Sequence, residues 1–288
     1  MDLCGVYSIM LKRSDKMKLG IAMNLSNTSP EEWAEKHKAL GLSAVVFPCG
    51  YYDKNSKIDA YVKACKDFDL TIAEVGAWKN LLALDKEERE QNFDYCKKQL
   101  ELAEYIGASC CVNISGAKGE VWDGGYKENY SDKTYCEIIE TVQRLIDAVN
   151  PKKTFYTLEP MPWMHPDSPE DYLKMIKDIN RKAFGVHLDI VNMINTPQKY
   201  LFNEQFTSDA ISLLGGYIKS CHIKDVLLEN HLTVSLKEVP CGEGGFNLKN
   251  YIEKIDKLDA NMPVVIEHLA VEEEYIKAIK YINELKGE

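Results

Sequence analysis

Four short apolar segments of the chain each end in a side chain that can bind a metal ion. The segments TFYTL, AFGVHL, YIKSC and MPVVI are followed by Glu159, Asp189, His222 and Glu267. A carboxylate at the end of a buried strand costs free energy unless a cation or a metal partners it. Three carboxylates and one imidazole are a ligand set for one divalent ion with open coordination positions. The carboxylate excess favours Mn²⁺, Mg²⁺ or Co²⁺, and Zn²⁺ is also allowed.

Two further polar residues share strands with these candidates. His187 lies two residues before Asp189, and Lys224 lies two residues after His222. Because side chains alternate along a strand, each points the same way as its neighbouring candidate. We therefore predict that His187 and Lys224 contact substrate. The alternatives are a buried imidazole bonded to a neighbouring strand and a structural ion pair of the lysine with Asp225 or Glu243.

Three segments read as loops near the same end of the strands. Trp163 and His165 follow the segment that ends in Glu159, and an exposed Trp is a common stacking face for a sugar ring, so we predict that both contact substrate. Residues 116–131 are rich in Gly and aromatic residues, which fits either a functional loop or a solvated surface loop. The cluster GEGG at 242–245 could bind a phosphate through its N–H groups, although Glu243 would repel an anion.

The elements that must position these residues alternate along the whole chain. Eight strand-then-helix units can be read between Lys18 and Leu285, with a hairpin predicted at 226–240 and Ser-Pro-acid-acid helix starts at Ser29 and Ser168. Strands alternating with helices in this number predict a single (β/α)₈ barrel, in which functional sites lie at the carboxyl ends of the strands. We expect residues 1–288 to form one domain, with 1–17 as an N-terminal leader segment.

Composition narrows the functional classes. The net charge is −10 and the pI about 5.2, which disfavours nucleic acid as a partner because phosphates are bound by an excess of Lys and Arg. The nine cysteines include no C-x-x-C pair, as expected for reduced thiols. Neither a signal peptide nor an 18-residue apolar run is present. These features predict a soluble cytoplasmic protein without a membrane partner.

The motifs TLEP, HLDIVN, CHIKD, VPCGEGGFN and VIEHL resemble those of the xylose isomerase-like barrel superfamily, in the branch of sugar phosphate isomerases and epimerases that includes the ketose 3-epimerases. The resemblance implies a TIM barrel, a small-molecule sugar or sugar derivative as substrate and one divalent ion, and it is compatible with a homo-oligomer. It assigns the ion to Glu159, Asp189, His222 and Glu267. Glu159 and Glu267 would also be catalytic, since they would flank the substrate and exchange a proton next to its carbonyl through an enediolate.

The sequence departs from this family pattern after the sixth strand. The usual Asp-x-x-His is here Asp189-x-x-Asn192, and Asn can bind a substrate hydroxyl but cannot transfer a proton. The Arg that many epimerases carry after the His of strand seven is absent as well. A metal-dependent lyase or dehydratase, for example a deglycosidase acting on 3-keto sugars, is therefore the alternative to an isomerase or epimerase.

The sequence gives less support to two other classes of protein. An endonuclease IV-like DNA repair enzyme would need His ligands after strands two to four, where the sequence offers Pro48, Glu74 and Asn113. A binding protein without catalytic activity is the other.

Overall fold

The computed structural model describes residues 17–23, 25 and 29–287, and its centre is an eight-stranded parallel sheet that curls into a nearly closed barrel. Its strands are β1 (Lys18–Ile21), β2 (Ala44–Val46), β3 (Thr71–Gly76), β4 (Cys110–Asn113), β5 (Phe155–Leu158), β6 (Phe184–Leu188), β7 (Ile218–Ile223) and β10 (Pro263–Ile266), while β8 (Asp225–Leu228) and β9 (Leu236–Val239) form a separate antiparallel hairpin. In the barrel the strands run in the order β1, β10, β7, β6, β5, β4, β3, β2. The predicted barrel and the predicted hairpin are both confirmed. The leader predicted at 1–17 lies outside the described residues, apart from Met17.

Nine α-helices in the described part of the chain surround this barrel. They are α1 (Pro30–Ala39), α2 (Asn55–Asp67), α3 (Lys86–Ile106), α4 (Asp132–Val149), α5 (Pro169–Ile179), α6 (Pro197–Leu201), α7 (Asn203–Leu214), α8 (Leu248–Leu258) and α9 (Glu272–Lys286). The two Ser-Pro motifs begin α1 and α5 as predicted: Ser29 and Ser168 accept hydrogen bonds from the backbone of the third residue of each helix. None of the described helices is long and apolar enough to cross a bilayer.

Side-chain alternation along the strands separates two environments. Val264 and Ile266 pack in the main core between sheet and helices, whereas Val265 joins Ala44 and Ala73 in a small separate cluster. Because successive side chains point to opposite faces, Val265 faces the barrel interior, and so does the residue two positions further on, Glu267. The same alternation directs Glu159, Asp189 and His222 inward, since the residue before each of them belongs to the main core.

The two ends of the strand order meet at β1 and β2. Ser43 N donates to Leu19 O at 2.9 Å across this seam. A Cβ on Gly20 would lie only 2.8 Å from Ala44 O, closer than real side chains approach a backbone oxygen. Glycine at this position therefore lets β1 approach β2 closely enough to close the barrel.

The glycine cluster after the hairpin binds a carboxylate of the chain itself. Gly242 N and Gly244 N each donate to Asp225 Oδ2 at 3.0 Å, while Val226 N and Phe246 N donate to Asp225 Oδ1 at 2.8 and 3.0 Å. Because these N–H groups are already engaged, the phosphate-binding role considered for GEGG is not supported. The buried Asp225 instead fixes the start of the hairpin and the chain after it.

We expect Asp225→Ala to lower the free energy of unfolding by about 3 kcal/mol, since it leaves four backbone donors without their charged acceptor. Urea denaturation would measure the loss. Glu243→Ala, a change in the same turn at a residue that makes none of these hydrogen bonds through its side chain, is the control and should leave the midpoint nearly unchanged. An equal effect of both variants would contradict this role for Asp225.

Candidate active site

Four side chains from four strand ends converge at the carboxyl end of the barrel. His222 Nδ1 lies 2.8 Å from Glu267 Oε2 and 3.2 Å from Glu159 Oε1. With Asp189, each of these residues offers one ligand atom, and the four atoms all lie within 4.8 Å of one another. All four residues are buried. Residues distributed between positions 159 and 267 thus form one compact group of donors.

A buried tyrosine fixes the strand ends beneath this group. The Tyr172 hydroxyl, on α5, donates to Leu158 O at 2.6 Å and accepts from Leu158 N at 3.2 Å and from His187 N at 3.3 Å. Leu158 immediately precedes Glu159, and His187 lies two residues before Asp189. The helix therefore holds β5 and β6 in the register that brings their two carboxylates together.

Lys224 lies inside the group of acids. Its ammonium Nζ is 2.7 Å from Asp189 Oδ2 and 2.7 Å from Glu267 Oε1, and only 2% of its side chain is exposed. The alternative considered for Lys224, a structural ion pair with Asp225 or Glu243, is not found in the structure. Its positive charge offsets part of the repulsion between the carboxylates, which is required for charges removed from water. Its predicted contact with substrate stays a prediction.

The two glutamates have pKa values displaced in opposite directions. Burial and the neighbouring Glu267 carboxylate raise the pKa of Glu159 to about 7. Burial acts to raise the pKa of Glu267 too, but the charges of His222 and Lys224 outweigh it and hold that pKa well below its ordinary value. Two carboxyl groups with separated pKa values can take different parts in a proton transfer.

The donor group fits a divalent ion. Its four ligand atoms, three carboxylate oxygens and one imidazole nitrogen, come from buried side chains and lie within 4.8 Å of one another. Oxygen and imidazole donors at this spacing are the arrangement that a divalent cation would complete. With a neutral imidazole, three carboxylates and the lysine leave a net charge of −2, which a divalent ion would balance.

Glu74 on β3 supports the group from below, a role that reasoning from the sequence missed. Its Oε1 lies 3.4 Å from His222 Nε2, on the side of the ring opposite to Glu159 and Glu267. A carboxylate on the second nitrogen of a metal-binding imidazole holds the ring in the required orientation and tautomer. Glu74 is 3% exposed, so it is positioned to act on His222 rather than on a substrate.

His187 lies beside these two residues. Its ring packs edge-on against His222 with the centroids 4.1 Å apart, and its Nδ1 is 3.6 Å from Glu74 Oε2. Burial and the charge of His222 hold the pKa of His187 well below its ordinary value, so the ring is neutral. Neither ring nitrogen has a hydrogen-bond partner among the described residues. Its predicted substrate contact stays a prediction, and its complete burial favours a role in packing.

Asn192 and His268 border the donor group on its open side. Asn192 Nδ2 donates to Glu159 Oε1 at 3.2 Å, and its backbone N donates to Asp189 Oδ1 at 3.0 Å. His268 Nε2 lies 3.4 Å from Glu267 Oε2, and its Nδ1 lies 3.1 Å from Glu238 Oε1. More than half of the His268 side chain is exposed at the site.

A cavity of about 180 Å³ opens above the two glutamates. Its walls include Trp78 after β3 and Trp122 and Asp123 from the loop 116–131. This loop is attached to the loop after β5, because Trp163 Nε1 donates to Asp123 O at 2.6 Å. The loop therefore lines the candidate site, and its functional role stays a prediction.

Trp163 and His165, which were both predicted to contact substrate, lie in different surroundings. Trp163 lines a second cavity of about 480 Å³ beside the first. His165 Nδ1 lies 2.7 Å from Asp171 Oδ2, and its ring packs against Tyr130 and Tyr135. These contacts connect the loop to α4 and α5. They favour a structural role for His165, whose substrate contact stays a prediction.

The chain belongs to the xylose isomerase-like TIM barrel family, whose model matches residues 32–285. No curated protein sequence matches the chain. Among solved structures, a xylose isomerase-like TIM barrel protein from Mycobacterium smegmatis in complex with magnesium is 19% identical, with a TM-score of 0.66, 90% of this chain and 89% of that chain covered.

Two other solved structures extend the range of activities on this fold. D-psicose 3-epimerase with D-tagatose from Clostridium cellulolyticum is 14% identical, with a TM-score of 0.69 and coverage of 94% of this chain and 98% of that chain. Endonuclease IV from Thermus thermophilus is 13% identical, with a TM-score of 0.72 and coverage of 94% of this chain and 99% of that chain. At these identities the likeness establishes the fold alone, so the site must decide the function.

We expect the affinity for Mn²⁺ or Mg²⁺ to fall as the pH is lowered from about 8 to about 6. Glu159 gains a proton over this range because its pKa is about 7, and the neighbouring Glu267 and Glu159 carboxylates outweigh burial and raise the pKa of His222 so that its imidazole holds a proton too. Metal ligands must be deprotonated, so the ion has to displace these protons. Calorimetric titration at several pH values would measure a loss of up to about tenfold per pH unit for each proton displaced. A pH-independent affinity would contradict these assignments.

We expect Glu74→Leu to weaken metal binding by about 10- to 100-fold, because His222 loses the carboxylate that orients it. Glu74→Gln keeps an acceptor for His222 Nε2 and should recover part of the affinity. Metal titration and the melting temperature of each variant separate this effect from general destabilisation. Equal affinities of the wild type and Glu74→Leu would show that Glu74 does not orient the ring.

Proposed function

We propose that the protein is a divalent-metal-dependent sugar isomerase or epimerase. The observation that carries the proposal is that Glu159 and Glu267 line one cavity of about 180 Å³ and belong to the group of four metal-binding donors. A cavity of this size with tryptophan in its walls suits a monosaccharide unit, because indole faces stack on sugar rings.

The residues that would hold the ion are Glu159, Asp189, His222 and Glu267. A divalent ion bound there would supply Lewis-acid polarisation of the substrate carbonyl and offset the negative charge of an enediolate. Glu74 and Tyr172 would keep the ligands in place. Lys224 would balance the excess negative charge and keep Glu267 ionised.

Glu159 is the best candidate to move a proton. Its pKa of about 7 lies near the working pH, where a carboxylate can both accept a proton from carbon and return it. Glu267, with its depressed pKa, would be ionised before the reaction. Return of the proton by Glu159 to the adjacent carbon gives an aldose–ketose isomer. An epimer requires protonation of the opposite face by a second acid, which would be Glu267 after it has taken up a proton.

A lyase is the second candidate, and His268 is the observation that favours it. The ring lines the cavity beside Glu267, and its hydrogen bond with Glu238 raises its pKa. A protonated imidazole in this position could deliver a proton to a leaving group after Glu159 removes one from carbon. The Asn192 amide, which stands where epimerases usually carry His, can position a hydroxyl but transfers no proton.

Nucleic acid as substrate has less support. The net charge of −10 opposes a polyanion. Among the described residues, the clusters able to hold a metal draw His only from β6 and β7, as His187 and His222.

We expect the metal-loaded protein to exchange deuterium from D₂O into the carbon next to the carbonyl of a substrate sugar. Candidates are a panel of ketoses, 3-ketoglycosides and sugar phosphates, with products followed by NMR and mass spectrometry. Conversion to an isomer identifies the isomerase or epimerase, and loss of a substituent identifies the lyase.

Glu159→Gln should lower the rate of deuterium exchange into the sugar by about 10²-fold or more, while the protein remains folded. Glu243→Gln, on the glycine turn away from the cavity, is the matched control and should exchange normally. Unchanged exchange in Glu159→Gln would remove this residue from the mechanism. Lack of exchange with every sugar in the panel would count against the proposed function.

A further inference from the structure

A layer of polar side chains lies in the barrel interior beneath the four donors. Five neighbouring strands, β3 to β7, each contribute one buried member, and these are Glu74, Cys110, Thr157, His187 and Ser220. The residue after each of them belongs to the main core, so alternation directs all five into the barrel. Interior layers of such barrels are usually filled by bulky apolar residues. A polar layer at this depth therefore requires a physical explanation.

His187 is the member of this layer with the fewest partners. None of its side chain is exposed, and neither ring nitrogen has a hydrogen-bond partner among the described residues. The contact with the His222 ring fills space but satisfies neither nitrogen. A buried polar group without a partner costs free energy. The neutral ring carries one nitrogen lone pair that can bind a metal ion.

Two further donors lie within reach of this ring. Glu74, Cys110 and His187 each offer one ligand atom, and the three atoms all lie within 4.8 Å of one another. His187 Nδ1 is 3.6 Å from Glu74 Oε2, close to the separation of about 3.3 Å between a nitrogen and an oxygen on one tetrahedral zinc ion. Cys110 Sγ makes only a weak contact with Ala73 O, at 3.7 Å. The thiol is therefore not held by a strong hydrogen bond.

The chemistry of these donors differs from that of the four donors above them. A thiolate, a carboxylate and a neutral imidazole carry a charge of −2, so a divalent ion would make the buried group neutral. Sulfur and nitrogen ligands favour Zn²⁺, whereas the oxygen-rich group above suits Mg²⁺ or Mn²⁺. Binding would release the Cys110 proton to solvent, because the thiolate is the form that binds metal.

We propose that Glu74, Cys110 and His187 bind a second divalent ion, of the zinc type, in the barrel interior beneath the candidate active site. Glu74 connects the two sites, since its Oε1 lies 3.4 Å from His222 Nε2 and its Oε2 faces His187. Ser220 Oγ donates to the same Oε2 at 3.5 Å. An ion on Oε2 fixes the Glu74 carboxylate and, through it, the His222 ring. This site goes beyond the proposed function and does not depend on it.

Cobalt is the probe for this site, because Co²⁺ replaces Zn²⁺ and absorbs strongly in the near ultraviolet only when a thiolate is among its ligands. The full chain is produced in cobalt-supplemented medium, so that the ion can enter while the protein folds. Elemental analysis should find two Co²⁺ ions per chain, and the spectrum should show the thiolate band. A protein with one Co²⁺ and no thiolate band would overturn the proposal.

Two cysteine variants localise the ion. Cys110→Ala should lose the thiolate band and one of the two ions. Cys111→Ala is the matched control, because this neighbouring residue is also a buried free thiol but packs in the main core; it should keep both ions and the band. Glu159→Gln should keep the band as well. A band that survives Cys110→Ala, or that is lost equally in Cys111→Ala, would overturn the assignment.

Anomalous scattering from crystals of the zinc-loaded wild type decides the question even if a variant fails to fold. A peak between Glu74, Cys110 and His187 would support the proposal. Ordered water alone at the His187 nitrogens would overturn it. A single peak higher in the barrel with His187 as a ligand would also overturn it, since His187 can be grouped with Glu159 and His222 too. Deuterium exchange by a protein with one ion would leave the proposed function standing, whereas two ions without exchange into any sugar would support only the second site.

Discussion

The interior of the barrel must accommodate three carboxylates that lie within a few ångströms of one another. Removing such charges from water is expensive, and their mutual repulsion adds to the cost. The chain offsets this cost with two cationic partners, Lys224 between Asp189 and Glu267 and the imidazole of His222. The strands, the supporting helix and the residues beneath the site must therefore keep these opposite charges in contact.

Strand-end logic predicted the four donors because the barrel obeys a simple geometric rule. Parallel strands present their carboxyl ends on one side, so Glu159 and Glu267 had to meet if the element order was right. The alternation of side chains along the strand correctly predicted that Lys224 points into the barrel, as His222 does. It did not reveal which acids the lysine would pair with, because that depends on distances between strands that are remote in sequence.

The strand-end rule could not identify several other residues of the site. In the sequence, Glu74 was considered only as the residue that stands where an endonuclease IV-like enzyme would need His. The structure places it within β3 rather than at its end, opposite a register shift in β2, and its contact with His222 joins strands that are remote in sequence. Trp78 and Trp122 reach the cavity through irregular loops, whose course cannot be read from periodicity. The glycine cluster was open to a phosphate-binding interpretation because its true partner, Asp225, lies 17 residues before Gly242.

The donor group alone does not decide between isomerisation, epimerisation and elimination, since all three begin with removal of a proton beside a carbonyl. The outcome depends on where the next proton is delivered, and therefore on the side chains around the cavity rather than on the four donors. Here an amide, Asn192, borders Glu159, while an ionisable ring, His268, borders Glu267 and faces the second cavity. A proton donor beside Glu267 is suitably placed to protonate a leaving group once a proton has been removed from carbon. The proposed site thus gives elimination a specific structural basis beside isomerisation and epimerisation.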